Sequence, residues 1–166
     1  LAFFLLQTQM NVGSGRIIPL GNLSSKMKEA IKTADAYLKA NLKNLGIDHD
    51  LNAYDFTVQA LNLNQAKEGA ETAVAFFISL VSAILGKPVL ERTVALGEMS
   101  VQGMLLKVAS LPERMQLAVE AGAKRILIPS ENKRDLAEVP DAILTAIQWQ
   151  FYDSPTKAAI MAMGMG

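Results

Sequence analysis

The uncharged run from Thr72 to Leu85 constrains the fold of this chain more than any other feature. It holds 14 residues, which are apolar except for one threonine and two serines. A helix that spans a bilayer needs about 20 apolar residues, so this run is too short to cross a membrane. A helix that is apolar on every side must instead be buried among other elements. Because Gly86 and Pro88 follow it as stop signals, the run predicts a core helix.

Length and composition suit one domain that covers residues 1–166, with roughly two thirds of the unfolded surface buried on folding. The chain has no cysteine and a single histidine, His49, which excludes a disulfide framework and a Cys/His zinc cluster and fits a reducing cytoplasm. Sixteen basic residues balance 16 acidic ones, so the overall charge attracts neither nucleic acid nor anionic membrane. The start at Leu1, with no basic segment before it, predicts a fragment of a longer polypeptide rather than a signal peptide.

Apolar spacing and turn residues predict an alternation of strands and helices. Residues 1–10 read as a strand that turns at residues 13–15 into residues 16–20, as in a hairpin. Ser24 or Ser25 caps an amphipathic helix that ends at Gly46. Further strands are predicted at residues 54–61, 93–96, 100–108, 125–128 and 148–152, and further helices at 70–85, 112–121, 141–146 and 155–164. Because strand, helix and strand follow one another between residues 93 and 128, we expect a βαβ-like unit in an α/β domain.

Short motifs over nearly the whole chain resemble the C-terminal proteolytic domain of Lon proteases. They are Gln-Thr-Gln-Met at residues 7–10, Gly-Ser-Gly at 13–15, Leu-Gly-Asn-Leu at 20–23, Met-Lys-Glu-Ala at 27–30, Lys-Glu-Gly-Ala-Glu-Thr-Ala at 67–73, Gly-Glu at 97–98, Gly103, and Ile-Pro-Ser-Glu-Asn-Lys-Arg-Asp-Leu at 128–136. The resemblance implies the Lon proteolytic fold, an α/β (α+β) fold similar to domain 2 of ribosomal protein S5, with mixed sheets and packed helices. It also implies an AAA+ motor, which would bind ATP and Mg²⁺ outside this domain, and a homo-oligomeric, hexameric ring.

The same resemblance places Glu71 where the family has its serine nucleophile and Arg114 where it has its lysine base. Leu96 stands in place of a threonine of the site, and Ala109 with Ser110 replaces a pair of glycines. A guanidinium stays protonated and has no lone pair with which to act as a base. A carboxylate that attacked an amide would have to form an anhydride while expelling a poor leaving group. The sequence therefore predicts that the catalytic dyad is not intact.

Glu71 and Arg114 are expected to face each other in a two-pronged salt bridge, the alternative being two unrelated surface charges. A second alternative is a new serine–lysine dyad, for which Ser110 lies near Lys107 in sequence. The other candidate serines are Ser79, Ser82 and Ser100.

Three further features have a functional and a plainer interpretation. Glu68 and Glu71 could imitate an acid-protease pair, but the start of a solvated helix accounts for both. His49, beside two aspartates, is predicted to be a surface histidine. The glycine-rich residues 13–16 lack the Gly-Lys-Ser/Thr ending of a phosphate-binding loop, so we expect no ATP site there.

A basic stripe is predicted along the first long helix. Its members lie at intervals of four and seven: Lys28, Lys32, Lys39 and Lys43. A solvated face is the plainer interpretation, and a nucleic-acid surface is the functional one.

The loss of the dyad resembles Lon-related AAA+ proteins of BREX phage-defence systems, which act on DNA. We therefore expect a non-proteolytic assembly and interaction module with DNA as a candidate partner. The alternative is an ATP-dependent serine endopeptidase with a non-standard site, which would act on polypeptides.

Overall fold

A computed structural model describes residues 4–21, 23–62 and 70–165 of the chain. The strands are β1 (Phe4–Val12), β2 (Ile17–Leu20), β3 (Tyr54–Asn62), β4 (Thr93–Ala95), β5 (Glu98–Met99), β6 (Leu105–Leu106), β7 (Arg125–Pro129) and β8 (Gln148–Tyr152). The α-helices are α1 (Ser25–Ala40), α2 (Ala73–Leu85), α3 (Leu111–Glu120), α4 (Asp141–Ala146) and α5 (Pro155–Ala162). Short 3₁₀ helices cover Leu51–Ala53, Ala70–Thr72 and Ser130–Glu138. The predicted α/β class is confirmed.

The first sheet has the strand order β1–β3–β2, with β1 antiparallel and β2 parallel to β3. The predicted hairpin of the first two strands is therefore wrong, because β3 lies between them. Backbone bonds of the turn explain this: Gly13 N donates to Ala53 O at 2.9 Å and Gly15 N to Tyr54 O at 3.0 Å. The turn binds the start of β3 and carries β2 to its far side.

The second sheet has the order β4–β7–β8, and both pairings are parallel. The predicted βαβ unit is confirmed, because α3 connects β4 to its parallel neighbour β7. Residues 100–108 were predicted to be extended, but only β6 is. Ser100 N donates to Met104 O at 2.9 Å and Gly103 has a φ of 84°, so a tight loop takes up most of that stretch.

Helix α2 is the core helix that the uncharged run predicts. Its buried residues lie on every side of the helix: Ala73, Val74, Phe76, Phe77, Ile78, Leu80, Val81 and Ile84. It contacts α1, α5 and β1. Gly86 ends it with a φ of 65°, a left-handed conformation that glycine adopts without strain. No helix in the described part of the chain is long and apolar enough to span a membrane.

Helix α1 begins as predicted and ends early. Ser24 is its N-cap, and the serine Oγ accepts a hydrogen bond from Met27 N at 3.2 Å. The predicted end at Gly46 is wrong because Asn41 stops the regular helix, with its side-chain Nδ2 donating to Tyr37 O at 2.8 Å. Leu42, in the turns that follow, still packs against the core.

Candidate functional site at Glu71 and Arg114

Glu71 and Arg114 form an ion pair. Glu71 lies in the 3₁₀ turn directly before α2, and Arg114 lies in the first turn of α3. Arg114 Nη1 donates to Glu71 Oε1 at 3.2 Å, and the side chains are only 11% and 15% exposed, respectively. The predicted pairing is confirmed, so these are not unrelated surface charges. Their equivalence to the nucleophile and base of Lon stays a prediction from the resemblance.

The guanidinium of Arg114 is shared between Glu71 and the chain before α3. Its Nε donates to the carbonyl oxygen of Ala109 at 2.7 Å. One hydrogen bond of the predicted two-pronged pair is thus described, from Nη1 to the carboxylate of Glu71. The Nε group donates to a backbone carbonyl instead. Because Arg114 N also donates to Ser110 O at 3.1 Å, the residue fixes the start of its own helix as well.

Backbone contacts hold Glu71 from the other side. Gly97 N donates to Glu71 O at 3.0 Å, and Val74 N donates to Gly97 O at 3.2 Å. The buried Tyr152 hydroxyl donates to Leu96 O, just before that glycine. Burial raises the pKa of the Tyr152 hydroxyl well above its usual range, and the negative charge of Glu131 adds to this. The first turn before α2 is therefore tied to β8 through residues 96 and 97.

Leu96 brings no hydroxyl to this region. Its side chain is 8% exposed and belongs to an apolar cluster that includes Val108, Leu111 and Ile126. An apolar side chain that is packed in this way contributes to the core and offers no donor or acceptor. That this leucine replaces a threonine of the Lon site stays a prediction from the resemblance.

A largely apolar cleft of about 610 Å³ runs beside the ion pair. Its described walls come from α2, from the edge strands β1 and β4, and from the turn after α3. Glu71, Thr72, Leu96 and Arg114 line one end of it. The cleft was not predicted, because the spacing of residues along the chain does not show which strand edges lie close to each other.

The serines of α2 do not form a dyad with lysine. Ser79 Oγ lies 2.5 Å from Thr8 Oγ1, on the cleft wall. Ser82 Oγ donates to the carbonyl oxygen of Lys87 rather than accepting from its ammonium group. Both hydroxyls are thus used within the fold.

The remaining candidate serines give the same result. Ser100 Oγ accepts from Met104 N at 3.1 Å, and Lys107 Nζ pairs with Asp135 Oδ1 at 3.3 Å. Ser110 is exposed, with a φ of 58° in the left-handed region. Within residues 4–21, 23–62 and 70–165, no serine hydroxyl is hydrogen-bonded to a lysine ammonium group. The alternative of a new serine–lysine dyad gains no support there.

The glycine-rich turn at residues 13–16 holds a carboxylate of the protein itself. Ser14 N and Arg16 N each donate to Asp55 Oδ1 at 2.9 Å, and Arg16 Nη2 donates to Asp55 Oδ2 at 3.0 Å. These backbone N–H bonds and the guanidinium lower the Asp55 pKa to about 2. A Cβ on Gly13 would collide with the carboxylate, so glycine is required there. An internal anion takes the donors that a phosphate would need.

The predicted basic stripe is only partly present. Lys28, Lys32, Lys39 and Lys43 are all exposed. Lys43 lies beyond the end of α1, which corrects its placement on the helix. Lys39 Nζ is 3.0 Å from Asp35 Oδ2, so an acidic residue on the same helix neutralises one member.

The remaining candidate groups are His49 and the acidic side chains. His49 is exposed, as predicted, with its ring centroid 6.1 Å from that of Tyr54. In the described ranges, no group of three acidic or histidine side chains could hold a metal ion. The alternative of an acid-protease pair at Glu68 and Glu71 includes Glu68, which lies outside the described residues.

The sequence profile of the Lon protease (S16) C-terminal proteolytic domain matches residues 2–163. This chain belongs to that family. The Lon-like protease BrxL of Escherichia coli O9:H4 (strain HS) is 33% identical over 164 residues, or 98% of this chain and 24% of the relative. BrxL of Bacillus cereus (strain H3081.97) is 32% identical over 163 residues, with the same two shares. The Lon protease of Azorhizobium caulinodans (strain ATCC 43989) is 34% identical over 140 residues, or 84% of this chain and 16% of the relative.

This Lon-type domain spans about a quarter or less of the length of those relatives. The predicted fold family is confirmed by the profile match. The relatives are named as a protease or as Lon-like proteases, whereas this Lon-type chain has a carboxylate and a guanidinium in contact beside its cleft. Membership of the family therefore assigns the fold of this chain, whereas its chemistry depends on the residues at the site.

Proposed function

We propose that this Lon-type domain is a non-proteolytic assembly and interaction module. The observation that carries the proposal is the contact of Arg114 Nη1 with Glu71 Oε1 at 3.2 Å. A serine peptidase needs a hydroxyl beside a base that can take its proton. Here the two positions hold an acceptor-only carboxylate and a permanently protonated guanidinium, which satisfy each other and leave no nucleophile.

The larger assembly is proposed from the family. We place the chain in a Lon-related AAA+ protein that forms a homo-oligomeric ring, a hexamer in the resemblance, in the cytoplasm. ATP and Mg²⁺ would be bound outside residues 1–166, which agrees with the occupation of the residue 13–16 turn by Asp55. Two relatives are named BrxL, which supports a role in phage defence.

A degradation assay tests the central part of this proposal. A polypeptide that contains this chain is incubated with fluorescent casein, ATP and Mg²⁺, beside an active Lon protease as positive control. We expect no ATP-dependent fluorescence release, and no change on Ser79→Ala or Ser110→Ala. Release that one of these serine substitutions abolishes would establish the endopeptidase instead.

We also propose DNA as a partner. The proposed contact surface is smaller than the basic stripe that the sequence predicts. Lys28 and Lys32 are exposed on α1 and have no carboxylate partner in the described part of the chain. Lys39 is already paired with Asp35 at 3.0 Å. Each phosphate contact contributes about one to the slope of log affinity against log salt concentration.

Charge-reversal substitutions test which of these lysines contact DNA. Lys28→Glu and Lys32→Glu should each weaken binding of a fluorescent duplex and lower the salt slope by about one. Lys39→Glu is the matched control and should have the smaller effect, because Asp35 already offsets its charge. Equal effects of all three substitutions, or none, would remove this surface from the proposal.

A further inference from the structure

The ion pair connects two parts of the fold that have separate apolar clusters. Helix α2, directly after Glu71, packs in the cluster that also contains α1, α5 and Phe56. Helix α3, which carries Arg114, packs in the cluster that contains Ile126, Ile128 and Val139. The strand β7 contributes to both clusters, since Leu127 belongs to the first and its two neighbours to the second. Glu71 and Arg114 therefore join the two sides of the second sheet.

The cleft lies along this junction. Ala75, Ile78, Ser79, Ser82 and Ala83 of α2 form one continuous wall, spaced by three and four residues. The cleft is also lined by Arg114 in the first turn of α3 and by residues 121–123 in the turn after that helix. Glu71 and Arg114 meet at the end of the cleft where α2 and α3 both begin.

Three contacts make the pair a fixed connection rather than a loose surface contact. Arg114 reaches Glu71 with Nη1 and Ala109 O with Nε, so one guanidinium holds the segments before both helices. The Glu71 carbonyl is held in addition by Gly97 N at 3.0 Å. Both charged side chains are largely buried, where solvent screens their attraction less than at the surface.

We propose that Arg114 is a clasp that keeps this end of the cleft closed, so that opening the cleft requires the ion pair to separate. The clasp regulates access to the cleft. This proposal rests on the non-proteolytic role proposed above for the domain. Its test measures access and not cleavage, so the two proposals can fail separately.

Thiol labelling tests the clasp directly, because the chain has no cysteine. Ala75→Cys places a reporter one turn after Glu71, and Ala83→Cys places one at the far end of the same wall. Each reporter is labelled with a maleimide dye in the otherwise natural background and with Arg114→Met or Glu71→Gln added. We expect either clasp substitution to raise the labelling rate at position 75 by about tenfold, with less than about a twofold change at position 83.

Matched controls distinguish the clasp from a general loss of stability. Glu113→Gln and Arg134→Met change exposed charges and should leave both labelling rates as they were. Glu71→Gln removes the negative charge of the ion pair and keeps the size of the side chain, so it serves if Arg114→Met does not fold. An equal rise at positions 75 and 83, or no rise at position 75 in a folded variant, would overturn the clasp. Cleavage of casein would contradict the proposed non-proteolytic function, but it would not change the result expected from thiol labelling.

Discussion

The Tyr152 hydroxyl donates a buried hydrogen bond to the carbonyl oxygen of Leu96, and this bond joins the last strand of the second sheet to the segment after its first strand. Leu96 N in turn donates to Leu127 O at 3.0 Å. The segment that holds Glu71 is thus anchored from two strands. The anchor explains how a short loop can place a carboxylate opposite Arg114.

Tyr152→Phe should lower the free energy of unfolding by about 1–2 kcal/mol, because it leaves the Leu96 carbonyl buried without this donor. Urea unfolding followed by fluorescence measures the change. Tyr54→Phe is a suitable control, since that residue is half-buried and has no described hydroxyl bond. A loss no larger than that of the control would contradict the anchor.

The same tyrosine should make the fold sensitive to alkaline pH. Its pKa is raised in the folded state, so the folded protein keeps a proton that the unfolded chain loses above about pH 10. The stabilisation is complete below that pH and declines as the pH rises beyond it. The stability gap between the natural chain and Tyr152→Phe should therefore narrow above pH 10 in urea titrations.

Gly97→Ala should cost about 2 kcal/mol, because the new methyl group would collide with the Tyr152 hydroxyl and come within 2.8 Å of Val74 Cγ2. The cost should be smaller in a Tyr152→Phe background, where one of the two collisions is removed. Additive effects of the two substitutions would show that the residues do not meet as described.

Asp55 should make the first sheet sensitive to acid. Its pKa is lowered to about 2 in the fold, whereas the pKa of an unfolded aspartate is about 3.9. The stabilisation is thus complete above about pH 4 and is lost as the pH falls through about 2. Asp55→Asn should be less stable than the natural chain at pH 6, and the gap should shrink toward pH 2. Asp48→Asn, on an exposed loop, should show no such change.

Ser110→Gly should stabilise the domain by roughly 0.5 kcal/mol, because a φ of 58° strains serine more than glycine and the relief exceeds the added chain entropy. Thermal unfolding measures the gain. Ala109→Gly is the control and should destabilise slightly, as the adjacent alanine has no left-handed φ to relieve. A loss in both variants would argue against strain at Ser110.

Local signals in the sequence were enough to place most elements. The uncharged run gave α2, and Ser154 with Pro155 marked the start of α5, where Ser154 Oγ accepts from Lys157 N at 3.2 Å. The family motifs brought Glu71 and Arg114 together. These features could be predicted because each is determined by residues that are close in sequence or by a family motif.

Long-range contacts account for what was missed. The first two strands do not pair because Asp55, some 40 residues later, binds the turn between them. Asn132 is fully buried in the unpredicted 3₁₀ helix Ser130–Glu138, where its side chain accepts from Val108 N at 3.0 Å and donates to Val108 O at 2.8 Å. Asp35 neutralises Lys39. The spacing of four residues allows this ion pair, but the predicted basic stripe considered only the lysines.

Glu71 and Arg114, which the resemblance places at the two positions of the Lon dyad, are proposed to form a structural ion pair. A double-mutant cycle measures this most directly: the unfolding free energies of the natural chain, Glu71→Gln, Arg114→Met and the double variant are compared in urea. We predict a coupling energy of about 1–2 kcal/mol, because the two side chains touch and are largely buried. A coupling energy below about 0.3 kcal/mol would show that the charges act independently and would contradict the account.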